Sequence, residues 1–95
     1  MAEWSIEIDS DPGATTSEDQ VLELERELAD GGALAPVCSF DIRAGSVGAA
    51  YQVEASSFFD ALHLGQSTWL AAMRRAGMPP SVRVYEQRPN GPARA

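Results

Sequence analysis

Four stretches in which apolar and polar residues alternate, with two stretches of helical periodicity set between them, follow one another in the order β-α-β-β-α-β. Joined by short connections, that order predicts an α+β fold, the ferredoxin-like plait. It is a four-stranded antiparallel sheet of spatial order 4-1-3-2 with two helices on one face. The chain has 95 residues, 44% of them hydrophobic, enough for one core and too few for two. The expected domain is 1–87, with 88–95 as a disordered tail of Pro, Gly and Arg.

The first strand rests on Trp4, Ile6 and Ile8 alternating with Ser5, Glu7 and Asp9, until Asp11-Pro12-Gly13 breaks the pattern. Ser17 and Gln20 then form a capping-box signature. Glu18 and Asp19 suit the positive end of a helix dipole, and Gly31-Gly32 supplies a stop, so a helix is expected over 18–30. Its apolar arc holds Val21, Leu22, Leu24, Leu28 and Ala29, with Glu25 inside the arc.

Cys38, Phe40 and Ile42 alternate with Val37, Ser39 and Asp41, and Tyr51 and Val53 alternate with Ala50, Gln52 and Glu54. These are two strands of a hairpin, with Ala44-Gly45-Ser46-Val47-Gly48 as a five-residue loop. Ser57 with Asp60 caps a second helix expected over 58–76, which Gly77 and Pro79-Pro80 close. Phe58, Phe59, Leu62, Trp69, Met73 and Ala76 share its apolar side, and Gly65 and Ala72 leave low spots for close approach. Val82 and Val84, alternating with Ser81, Arg83 and Tyr85, form the last strand.

Charge narrows the function classes. The formal net charge is −7, which repels phosphate backbones and argues against nucleic acid as a partner. Residues 1–30 carry ten acids against Arg26 alone, whereas from Arg74 onward five arginines face only Glu86. The two ends of the chain therefore attract each other. All seven basic residues are arginine, a bias of GC-rich bacterial coding more than of chemistry. No apolar run approaches the roughly 18 residues of a membrane span. Met1-Ala2-Glu3-Trp4 lacks the basic start of a secretion signal, so no membrane partner and a cytoplasmic location are expected.

Catalytic and cofactor motifs fail on their own chemistry. One Cys and one His cannot build a Cys/His zinc cage, and a single Cys makes no intrachain disulfide. Cys38 beside Phe40 and Ile42 reads as a small buried hydrophobe, and His63 lies at the margin of its helix's apolar arc. Asp9-Ser10-Asp11 opens like a calcium loop, but Ala14 replaces the turn glycine and Gln20 the closing carboxylate. Gly45-Ser46-Val47-Gly48 lacks the Gly-Lys-Ser/Thr of a phosphate loop. No catalytic residue, cofactor or metal is assigned. Glu25 is the one acid whose place in an apolar arc marks it as a candidate perturbed acid or interface charge.

Function must then come from the uncovered sheet face and the sheet edges. The face is expected to carry Ser5, Glu7, Asp9, Val37, Ser39, Asp41, Ala50, Gln52, Glu54, Ser81, Arg83 and Tyr85, with Glu7 beside Arg83. A base-stacking surface needs central aromatics, and a substrate cavity between two stacked sheets needs an oily face; this set offers neither. The expectation is a small acidic, non-enzymatic interaction or regulatory module. It would be homodimeric through the second strand's edge, residues 37–43, or the open face, or would bind another protein. Candidate interface residues are Val37, Ser39, Asp41, Leu64, Arg83 and Tyr85; Val47, Leu64 and Tyr85 would make a patch if they met. One alternative is a dimeric, cofactor-free, monooxygenase-like plait enzyme, which requires Trp4, Phe40 and Tyr51 on the open face. Another is an acidic inhibitor or decoy presenting Glu23, Glu27 and Asp30 to a basic protein.

Overall fold

The structure, a computed structural model, describes residues 2–11, 17–41 and 43–89. The elements are β1 (Ala2–Ser10), α1 (Glu18–Asp30), β2 (Leu34–Asp41), β3 (Ser46–Ala55), α2 (Phe58–Arg75) and β4 (Val84–Pro89). They form the expected plait, with one antiparallel sheet of order β2-β3-β1-β4. Both caps hold their helices. The Ser17 hydroxyl accepts from the Gln20 N–H and the Gln20 side chain accepts from the Ser17 N–H, satisfying two N–H groups that have no partner inside the helix. Ser57 accepts from the Asp60 N–H, but Asp60 spends its carboxylate on the Ser56 hydroxyl at 2.8 Å, so the second box is half formed.

The pleat sends Ile6, Ile8, Val47, Tyr51 and Val53 toward the helices, where they meet Val21, Leu24 and Leu28 of α1 and Trp69, Ala72 and Met73 of α2. At Gly65, α2 comes close to the sheet. The Tyr51 hydroxyl donates to the Gly65 carbonyl at 2.5 Å, and a Cβ on Gly65 would lie 2.7 Å from the Tyr85 hydroxyl and 3.0 Å from Ile6 Cδ1. The slot that a side chain would take there is filled by the Tyr85 tip and Ile6.

That slot explains the main correction. Tyr85 does not sit on the open face: it turns inward, packs against the core, and its hydroxyl donates to Gln87. Val84 points outward in its place. The strand starts later than its valine alternation suggests, because Ser81 and Val82 still belong to the connection that Trp69 pins by donating its indole N–H to the Ser81 carbonyl at 3.0 Å. Arg83 accordingly precedes β4 and pairs with Asp9 at 3.0 Å, while Glu7 takes Arg88 at 3.3 Å.

Other boundaries move for similar reasons. Ser46, Val47 and Gly48 belong to β3, not to the loop; Val47 is 1% exposed, so it joins no surface patch with Leu64 and Tyr85. Arg88 and Pro89 are in the sheet, and the remaining residues of the expected tail, 90–95, lie outside the described residues, as do Pro12, Gly13, Ala14 and Ile42. On α1 the buried stripe is narrower than the predicted arc, leaving Leu22 and Ala29 exposed. On α2 the first turn overhangs the end of the sheet. Phe59 is 76% and Phe58 49% exposed, although both fall on the predicted apolar side. Consecutive residues are about 100° apart on a helix, so Phe58 and Phe59 cannot both turn to the core; Phe58 meets Trp4 edge to face, and Phe59 stands outside it. No described helix is long and apolar enough to cross a membrane.

Candidate functional site

The helix-free face carries the residues that the pleat turns away from the core: Glu3, Ser5, Glu7 and Asp9 of β1, Val37, Ser39 and Asp41 of β2, Ser46 to Glu54 in alternation on β3, and Val84, Glu86 and Arg88 of β4. Its centre is low because β3 contributes Gly48 and Ala50 there. A Cβ on Gly48 would already lie 3.1 Å from Asp9 Cβ. A depression of about 380 Å³ opens over these two residues, flanked by Val37 and Ser39 on one side and by Glu7, Asp9, Val84 and Glu86 on the other.

Two smaller hollows of about 190 Å³ each continue it, one toward Ala35, Gln52 and Arg88, the other toward Asp41 and Ser46. Together they trace a shallow groove along β3 from Ser46 to Gln52, about 20 Å at the usual rise of a strand. Its floor is small and apolar. Its walls are mostly acidic, with Glu7 directly across from Glu86 in the β1–β4 register. Like charges facing each other across a strand pair oppose pairing, and among the described residues only Glu7 of the two is relieved by an arginine.

The two sheet edges differ. On β2, Ala35 sits at φ 50°, a left-handed conformation unfavourable for any residue with a Cβ, and the register shifts between Leu34 and Val37. Pro36 adds to the disruption, so the first half of that edge is blunted. Residues 37–40 then run uncharged, with Val37 65% exposed. On β4, Glu86, Arg88 and Pro89 occupy the edge.

Of the candidate interface residues, Val37, Ser39 and Asp41 meet in the groove system. Leu64 lies on the outer side of α2, Arg83 is tied to Asp9 ahead of β4, and Tyr85 is inside. Glu25 is half-buried on α1, and its charge is felt at Cys38. The Cys38 thiol is pushed up to about 12, first by burial and then by Glu25, which leaves it protonated and unreactive at neutral pH. Burial likewise raises both tyrosines, Tyr85 to about 12 and Tyr51 further. Among the described residues, no cluster of three or more His, Cys, Asp or Glu is arranged to hold a metal ion.

Sequence reasoning missed Val84 and Glu86 as groove residues because it placed β4 one residue out of phase. The available signal was Gly65, a gap in α2 that an aromatic tip can enter. It also missed a second surface feature. Trp4, Phe58 and Phe59 stack edge to face, with centroids 5.9 and 5.6 Å apart, at the end of the sheet where α2 begins. No protein-family model, curated protein or solved structure matches this chain.

Proposed function

We propose that the chain is a small, non-enzymatic interaction module that receives a protein partner on the helix-free face of its sheet and self-associates through the edge of β2. One observation carries this reading: the three hollows named above are all on that face and join along β3 into a single groove. The groove is shallow and open, with no buried nucleophile or acid–base pair at its floor, the form of a docking surface and not of an enclosed reaction chamber. Face-to-face self-association would set Glu7 and Glu86 of one copy against acids of the other, which disfavours the open face as a dimer contact. The β2 edge from Val37 to Phe40 has no such charges and can add a strand from a second copy, leaving both grooves free.

The enzyme alternative depends on Trp4, Phe40 and Tyr51 facing away from the helices. All three are on the helix side, and Tyr51 is bonded to α2. The decoy alternative loses two of its three carboxylates to Arg26 and Arg75, which pair with Glu23 and Glu27 at 2.7 and 2.8 Å.

Light scattering on a size-exclusion column tests the self-association. The expected result is twice the 10.2 kDa chain mass at high micromolar concentration, and a monomer at that concentration removes the β2 contact. Comparative capture tests the docking face. A partner retained by the wild-type chain and lost on Ala50→Gln, but kept on Phe59→Ser, supports it; retention on Ala50→Gln overturns it.

A further inference from the structure

Resting on the docking reading above, we infer that the groove's occupant is a cationic amphipathic helix of a partner protein, about three to four turns long, laid along β3. Backbone chemistry selects a helix. Within the sheet, the N–H and C=O groups of β3 are paired with β1 and β2, so the face offers no hydrogen bonds to an extended segment. A helix satisfies its own backbone and needs only side-chain contact. The floor suits one: Gly48 and Ala50 let a helix ridge come close, and Val37 and Val84, both exposed, grip its sides. A groove of about 20 Å matches about 13 helical residues at 1.5 Å each.

Charge selects the cation. Glu3, Glu7, Asp9, Asp41, Glu54 and Glu86 project on this face, against Arg88 and the nearby Arg83. Each of those arginines is engaged with an acid, Arg88 with Glu7 and Arg83 with Asp9. The Glu7–Glu86 opposition leaves two carboxylates side by side with one counterion among the described residues. An arginine or lysine on the flank of a docked helix supplies the second and removes the repulsion.

The experiment is a titration of the isotope-labelled full chain, followed by backbone amide shifts, with a synthetic 14-residue helical peptide. The peptide has an Ala/Leu ridge flanked by arginines, and its counterpart carries glutamate in place of each arginine. The arginine peptide is expected to move the amides of Glu7, Gly48, Ala50 and Glu86 and to bind more weakly as salt rises. Glu86→Gln should weaken it about fivefold. Ala50→Gln, which fills the floor without changing charge, should weaken it about tenfold or more. Unchanged circular dichroism and melting for both variants keep these losses from being read as misfolding.

Equal binding of the two peptides in the groove overturns the cationic partner while leaving the docking face standing. Shifts confined to α1, or indifference to Ala50→Gln, overturn the groove itself. Failure of both peptides to move any groove amide overturns both readings.

Discussion

The two faces of the sheet are written by the same strands in alternation, and they have opposite fates. On the helix side, Ile6, Ile8, Tyr51 and Val53 are large, nearly inaccessible and matched to Leu24, Leu28 and Trp69 above them. On the other side, the outward positions hold Gly48, Ala50, Ser5 and Ser39, too small to fill the space above the sheet. One face is finished by its own chain and spends its residues on stability. The other is left indented and acidic, and its small residues leave room for a contact.

Substitutions on the two faces should differ widely in cost. Trp69→Ala empties a fully buried site and removes the bond to Ser81, so it should cost about 3–5 kcal/mol in urea unfolding. Ala50→Gln, on the opposite face, should stay within about 0.5 kcal/mol of wild type in the same assay. Equal costs would erase the distinction between the faces. Tyr51→Phe keeps the packing but deletes the bond to the Gly65 carbonyl, leaving that acceptor unpaired by Tyr51; about 1 to 1.5 kcal/mol should be lost.

Alkaline pH probes the finished face as a whole. Burial holds Cys38, Tyr51 and Tyr85 in their neutral forms, so the folded state keeps protons that the unfolded chain releases. Their contribution is complete below pH 9.0, the ordinary thiol value, and is lost as pH climbs toward about 12. The melting temperature should therefore fall across that window. Pairing Cys38→Ala with Tyr51→Phe should flatten the fall, and a melting temperature independent of pH there would contradict the burial of these groups. The smallest effect belongs to the open face. Glu86→Gln removes the opposition to Glu7 and should stabilise the isolated chain by a few tenths of a kcal/mol, a gain that shrinks in high salt. A loss instead would show that Glu86 is engaged in the free protein.

Much of the architecture was legible because it depends on local chemistry. Ser17 with Gln20 and Gly31 with Gly32 bracket α1 at Glu18–Asp30, and the alternation in β1, β2 and β3 assigns their faces correctly. The candidate site was legible only in part. Val37, Ser39 and Asp41 were found from their own strand's alternation, whereas Val84 and Glu86 depend on where β4 enters the sheet. That entry is set far away in sequence, by Trp69 holding Ser81 and by Gly65 making room for Tyr85.

Caps, periodicity and charge are properties of short segments, which is why the six elements, their order in the sheet and the acidity of the chain could all be read from the residues alone. The phase of β4, the exposure of Phe58 and Phe59, and the meeting of Gly48, Ala50, Val84 and Glu86 in one groove emerge only when the chain is folded. Each of these depends on which distant surface a side chain finds opposite it, and alternation within a strand carries no record of that.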